Sequence, residues 1–148
     1  MEEKQIEYNY NLFLDDFRTP EIAWQECFRD SRFLKEQWEH VKSHEDFISK
    51  VKSKFSQGSF PKLVSFDHDL ADVHYEHIGK PREWWDEYYQ REDAEKTGRH
   101  SAKWFIEFVI DNNLKMPDII IHTRNTAGGP NIKALFDTYY KLKDKGML

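Results

Sequence analysis

Short apolar runs that end in ionisable residues limit the folds open to this sequence more than any other feature. Three runs have the length of a strand: NLFL precedes Asp15 and Asp16, LVSF precedes Asp67, and III precedes His122. Longer segments with helical periodicity separate them. This alternation is typical of a mostly parallel sheet with helices on both faces. Ligands of such sheets bind beyond the carboxyl ends of the strands, so we expect these side chains to meet at one edge.

The pattern predicts the individual elements in more detail. Four strands are expected, the second of them weak and at an edge: Asn11–Leu14, Trp38–Val41, Leu63–Phe66 and Ile119–Ile121. Apolar residues at helical spacing predict three longer helices, around 47–55, 102–109 and 132–139. Ser43 is a suitable N-cap and Gly58 a suitable stop for the first of these helices. Pro130 suits the first turn of the last one.

Length and charge restrict the class of protein. The 148 residues fit a single α/β domain spanning residues 1–148, interrupted by an aromatic and charged insertion around residues 72–96. Its WWDEYY segment could stack on a nucleobase, although packing of the insertion onto the body explains the same rings. The formal net charge of −5 argues against binding of long duplex DNA.

Cysteine content and hydropathy indicate the compartment. Cys27 is the only cysteine, which excludes an internal disulfide and favours a reducing compartment. The first ten residues form no apolar signal segment, and no run approaches the roughly 18 apolar residues that span a bilayer. The sequence therefore predicts a cytoplasmic protein without a membrane partner.

The acidic residues after the strands predict a metal site. Carboxylates that meet at one edge repel one another, and a hard cation with oxygen ligands offsets that repulsion. We expect Asp15, Asp16 and Asp67 to bind Mg²⁺ or Mn²⁺, with Asp69 as a further ligand. Alternatively, some of these acids cap the following helices or pair with Arg18, and Asp69 forms a turn.

The segment HTRNTAGGPN has the composition of an anion-binding loop. Gly128 and Gly129 permit close backbone approach, and the N–H groups at the start of a helix favour a phosphate. Arg124, Asn125 and Asn131 are additional donors to such a group. A plain turn before the helix is the other interpretation.

Two histidines follow strands near these groups. Imidazole transfers protons near neutral pH, which suits reactions of phosphate esters. We therefore expect His68 and His122 to act as acid and base, beside Asp67. The other five histidines carry no comparable signal.

Four motifs in order resemble those of the cyclic-phosphate processing receiver-like domain family of bacteria and phages. They are LFLDD with Arg18 and Pro20, then SFDHDL, then Thr97–Gly98, then HTRN through GGPN. The resemblance implies a receiver-like, flavodoxin-like, doubly wound sheet of four to five strands. It also implies action on a cyclic phosphate, in a nucleotide or at an RNA 2′,3′-cyclic end. The motif positions are Asp15, Asp16, Arg18, Asp67, His68, Asp69, Thr97, His122, Asn125 and Asn131.

Three functions fit this sequence. The first is a metal-assisted phosphoesterase that acts on a small cyclic nucleotide or an RNA end. The second is a phosphoacceptor receiver with Asp67 as acceptor, which needs a lysine where His122 and Thr123 stand. The third is a non-catalytic module that binds a cyclic nucleotide or a protein partner. The histidines favour the enzyme, and the sequence specifies no oligomeric state.

Overall fold

The computed structural model describes residues 5–26, 30–67, 98–122 and 128–148, together with Pro81 and Glu83; for residues 128–130 only the backbone is described. The predicted insertion therefore lies outside the described residues, apart from Pro81 and Glu83. The elements are β1 (Glu7–Leu14), α1 (Pro20–Gln25), α2 (Arg32–Lys35), β2 (Trp38–Val41), α3 (His44–Ser56), β3 (Ser59–Phe66), α4 (Gly98–Asp111), β4 (Asp118–Ile121) and α5 (Gly128–Asp144).

The four strands form one parallel sheet in the order β2–β1–β3–β4. The chain passes outward from β1 to β2 and then returns across β1 to β3. Because crossover connections are right-handed, this reversal places successive connections on opposite faces. The predicted doubly wound sheet is confirmed, and the winding changes direction at β1. In such a sheet the crevice between β1 and β3 is the place where ligands bind.

The predicted strands are present, but two of them begin earlier than predicted. β1 starts at Glu7 and β3 at Ser59, four residues before the apolar runs begin. The first half of β1 alternates between exposed and less exposed side chains, and the first half of β3 contains Pro61 and Lys62, so the apolar runs alone miss both segments. The weak strand Trp38–Val41 is confirmed as an outer strand of the described sheet.

Local signals explain the helix bounds. The Ser43 hydroxyl accepts a hydrogen bond from the Asp46 N–H at 3.0 Å, which caps α3 as predicted. Gly58 adopts a φ of 89° just after this helix, a conformation that glycine reaches without steric cost. The short helices α1 and α2, of 6 and 4 residues, were not predicted because they are shorter than a periodic pattern.

One face of the sheet, which we call the apolar face, is covered by α3, α4 and α5. It buries strand residues such as Leu12, Leu14 and Phe66 against the helices. Rings dominate the packing: Phe60 stacks on Phe105 with centroids 5.4 Å apart, and Phe66 contacts both Phe105 and the helices on either side. Burial of these large apolar side chains is the main favourable contribution to folding.

The opposite face, which we call the mixed face, is smaller. Phe13 is buried there against Ala23 of α1 and Phe33 of α2. The same face also buries polar side chains, among them Ser65 and His122. Helices thus cover both faces, but the apolar face has the larger and more apolar core.

None of the helices in the described part of the chain is both long and apolar enough to cross a membrane.

Candidate functional site

Three strands carry an ionisable residue at the position just after the strand ends. Asp15, Asp67 and His122 each donate their backbone N–H to the last residue of the neighbouring strand, at 2.9 to 3.1 Å. The hydrogen-bond ladder therefore continues one residue beyond β1, β3 and β4. Because of this, the three residues stand side by side at the carboxyl edge, where the sequence predicts them.

The carboxylate of Asp15 is buried and accepts three hydrogen bonds. Its Oδ1 accepts hydrogen bonds from the Phe17 and Arg18 amides, both at 2.8 Å. Its Oδ2 accepts one from His122 Nε2 at 3.1 Å. Burial raises the pKa of Asp15, but these hydrogen bonds outweigh burial and leave the pKa below its usual value. Asp15 is therefore ionised at neutral pH.

The ring of His122 is fully buried and engaged at both nitrogens. Nδ1 lies 2.5 Å from the Ser65 hydroxyl, and the ring stacks on Phe13 with centroids 4.4 Å apart. Burial lowers the pKa of His122, although the Asp15 carboxylate acts in the opposite direction. A neutral ring that donates from Nε2 to Asp15 leaves Nδ1 as an acceptor, so the Ser65 hydroxyl donates to it.

Ser65, His122 and Asp15 are connected in the order found in hydrolases that use a serine nucleophile. Ser65, however, has no exposed surface. Because a nucleophile must reach its substrate, this arrangement orients Asp15 rather than activating Ser65.

Arg18 lies inside the acidic cluster and is mostly buried. Its Nε donates to Glu26 Oε2 at 2.5 Å, and its Nη1 lies 3.5 Å from Asp15 Oδ2 and 3.8 Å from Asp67 Oδ2. One guanidinium thus offsets the charges of two buried carboxylates. This pairing is the alternative to metal binding that the sequence leaves open.

The acidic cluster also has the composition of a metal site. Asp15, Asp16 and Asp67 each present an oxygen, and these oxygens lie within 4.8 Å of one another. Two of the three residues are buried, which limits competition from solvent. Carboxylate oxygens are the ligands that Mg²⁺ and Mn²⁺ prefer, so the residues present fit the predicted cation.

The remaining predicted site residues are placed only in part. Gly128 and Gly129 begin α5, and Asn131 is exposed in its first turn. Five others lie outside the described residues: His68, Asp69, Thr97, Arg124 and Asn125.

Sequence reasoning missed Ser65, Glu26 and Phe17. Ser65 bonds to His122, Glu26 to Arg18, and the Phe17 amide to Asp15. Ser65 had a usable signal, since it stands two residues before Asp67 and alternation places both on the same face of the strand. Glu26 follows the unpredicted helix α1, and no sequence pattern indicated that it would contact the site. Phe17 follows the two acids directly, and its exposure is visible only in the folded chain.

Comparison with known proteins agrees with this geometry. The family model of the cyclic-phosphate processing receiver domain matches residues 10–138, from the middle of β1 into α5. No curated protein and no solved structure matches the chain significantly. The family predicted from the four motifs and its receiver-type fold are both confirmed. The chain belongs to the cyclic-phosphate processing receiver domain family.

Proposed function

We propose that this protein hydrolyses a cyclic phosphate, in a 2′,3′-cyclic nucleotide or at an RNA 2′,3′-cyclic end, to a phosphate monoester. The observation that carries the proposal is the meeting of Asp15, Asp16 and Asp67 at the crevice between β1 and β3. Family membership supports a role in cyclic-phosphate processing. A cyclic ester already holds its leaving oxygen in place, so the site must supply an activated water, a proton and charge stabilisation.

In this proposal Asp15, Asp16 and Asp67 hold Mg²⁺ or Mn²⁺, and Asp69 is the further ligand predicted from the sequence. Such a cation polarises a phosphate oxygen or lowers the pKa of bound water. The low pKa of Asp15 supports this assignment, because a metal ligand must be ionised at neutral pH.

The chain's own residues have separate roles. The buried His122 ring holds the Asp15 carboxylate in one orientation, and Ser65 holds the ring. Direct proton transfer by His122 stays a prediction, which its burial does not favour. The proton transfers are assigned to His68, which follows Asp67 directly in the sequence.

The phosphate is assigned to the start of α5. Gly128 and Gly129 are the first residues of α5, and the first N–H groups of a helix have no acceptor within that helix. The helix dipole also favours an anion at this end. The exposed side chain of Asn131 is a further donor. Thr97, Arg124, Asn125 and Arg18 complete the set of predicted phosphate ligands. Of these, Arg18 is already paired with three carboxylates, so we expect it to order the cluster more than to bind substrate.

A second candidate is a non-catalytic module that captures a cyclic nucleotide. One observation favours it: the Arg18 guanidinium offsets the negative charges of Asp15 and Asp67, so these acids do not require a metal ion to be stable. Turnover separates the two candidates, because a capture module binds stoichiometrically and releases no product.

The test is to offer 2′,3′-cyclic nucleotides, RNA with a cyclic-phosphate end and 3′,5′-cyclic nucleotides with Mg²⁺ or Mn²⁺, and to detect ring-opened monoester. We expect Asp67→Asn to lower turnover by at least about 10²-fold. His68→Ala should lower it by about 10²–10⁴-fold. The matched control is Asp137→Asn, an exposed acid paired with Lys133 on α5, which should keep full turnover.

Absence of monoester from every substrate would reject the enzyme. Stoichiometric binding without product would support the capture module instead. Undiminished turnover in Asp67→Asn would remove the acidic cluster from the mechanism.

A further inference from the structure

Phe17 is the most exposed large apolar side chain in the described part of the chain, with 74% of its surface accessible. It stands between Asp16 of the acidic cluster and Arg18, which pairs with that cluster. A single exposed apolar residue is ordinary on a protein surface. Its place beside the acids distinguishes this one.

The backbone of Phe17 is fixed to the candidate metal site. Its N–H donates to Asp15 Oδ1 at 2.8 Å, and the next amide, of Arg18, donates to the same oxygen at the same distance. The tight turn formed by these bonds holds the backbone of Phe17 next to the acids. Among the described residues, no aromatic ring contacts Phe17. The Cα of Phe17 is thus fixed beside the acids, while most of its side chain is accessible to a ligand.

A flat, exposed ring beside a phosphate-processing site matches one part of a nucleotide. Phosphate and ribose are polar and gain little from a phenyl face, whereas a nucleobase stacks on it and removes apolar surface of both from water. We propose that Phe17 is the platform on which the base of a cyclic nucleotide stacks. This inference rests on the proposed function and specifies its substrate as a nucleoside cyclic phosphate, rather than a cyclic phosphate of a sugar alone.

The test compares two ligands that differ only in the base: 2′,3′-cyclic AMP and the base-free methyl riboside 2′,3′-cyclic phosphate. Calorimetry gives Kd and product formation gives KM, so the result does not depend on turnover alone. Phe17→Leu removes the aromatic face but keeps an apolar side chain, and Phe17→Trp enlarges the face. Both variants should fold, because the ring is exposed and the backbone bond to Asp15 does not involve it.

The matched control is Tyr140→Leu. Tyr140 is an aromatic residue with 43% exposure, and it lies near Asp118, where β4 begins, at the opposite edge of the sheet. Its replacement should change neither ligand's affinity. Thermal unfolding with and without Mg²⁺ confirms that each variant keeps its fold and its response to the cation.

We expect Phe17→Leu to raise Kd and KM for 2′,3′-cyclic AMP by about tenfold, within the range of base–aromatic stacking. The same change should leave Kd and KM for the base-free ligand unchanged. Phe17→Trp should equal or exceed the wild-type affinity for cyclic AMP. Equal cyclic AMP affinity in Phe17→Leu and wild type would overturn the platform, and would be expected if the ring served a protein partner.

Two further outcomes separate this inference from the proposed function. An equal loss for both ligands, or a wild-type protein that binds both equally well, would overturn the platform and leave cyclic-phosphate hydrolysis standing. A wild-type protein that binds neither ligand would overturn the platform, and it would overturn the proposed function as well only if no monoester forms from any of the substrates named above, RNA ends included.

Discussion

The two faces of the sheet are built from the same strands but bury different kinds of residue. On the apolar face, side chains such as Leu12 and Phe66 pack against α3, α4 and α5. On the mixed face, Phe13 packs beside the polar side chains of Ser65 and His122. Because neighbouring residues of a strand point to opposite faces, the alternation places apolar packing on one face and the hydrogen-bonded polar residues on the other.

This difference has a physical basis. Apolar burial is non-directional, so it stabilises the fold without fixing any single atom. Hydrogen bonds are directional, so the chain from Ser65 through His122 to Asp15 fixes one carboxylate at the carboxyl edge. We expect substitutions on the apolar face to lower stability and leave cation binding intact. Substitutions on the mixed face should weaken cation binding as well.

The largest effect on stability is expected on the apolar face. Phe105→Ala removes a fully buried ring that contacts Phe60 and Phe66, and should lower the free energy of unfolding by about 3–5 kcal/mol. Ile110→Ala on the same helix is the control, because Ile110 is 40% exposed, and it should change stability by about 0.5 kcal/mol or less. Urea unfolding gives both values. Weaker Mg²⁺ binding by folded Phe105→Ala would break the proposed division between faces.

A smaller loss of stability with a functional consequence is expected for Ser65→Ala. The change leaves His122 Nδ1 buried without its donor, which should cost about 1–3 kcal/mol in urea unfolding. Because the ring then orients Asp15 less well, Mg²⁺ affinity should fall by about tenfold in calorimetry. Ser56→Ala, at the exposed end of α3, should change neither. Unchanged Mg²⁺ affinity in Ser65→Ala would make the mixed face purely structural.

The smallest effect is expected for Tyr10→Phe, a polar exception on the apolar face. The hydroxyl of Tyr10 is buried without a hydrogen-bond partner in the described part of the chain, so its removal at neutral pH should be neutral or slightly stabilising.

The ionisation of the Tyr10 hydroxyl affects the free energy of unfolding only at alkaline pH. Burial, followed by the nearby Glu39 carboxylate, raises the pKa of Tyr10 above its usual value of 10.0. The folded state then keeps a proton that the unfolded chain releases, so this stability is fully present below about pH 10 and is lost as pH rises further. Urea midpoints measured from neutral pH to about pH 12 should fall more steeply for the wild type than for Tyr10→Phe. Parallel curves would show that the phenol ionises equally well in both states.

The fold could be predicted largely from the sequence. Apolar runs and helical periodicity depend on local spacing, and they located the four strands and α3, α4 and α5. The doubly wound sheet was predicted from the receiver-like motifs together with the alternation of strands and helices. The early starts of β1 and β3 were missed because exposed residues such as Glu7 and Lys62 interrupt the apolar signal.

The candidate site was predictable in position but not in detail. Residues just after parallel strands must meet at the carboxyl edge, which is why Asp15, Asp67 and His122 were expected together. Whether a ring at that edge points to solvent or into the protein depends on the packing around it. For His122 the packing is set by Phe13 and by Phe33, which belongs to a helix too short to predict.

The central claim is that the acidic cluster binds a divalent cation, and thermal unfolding in millimolar Mg²⁺ or Mn²⁺ tests it most directly. A cation that binds only the folded state stabilises it by about 2.7 kcal/mol at about 100 times Kd. For a chain of this length that corresponds to a rise in Tm of roughly 5–10 °C. We predict this rise in the wild type and in Asp137→Asn, and its absence in Asp67→Asn. An unchanged wild-type Tm with both cations, or an equal rise in Asp67→Asn, would contradict the account.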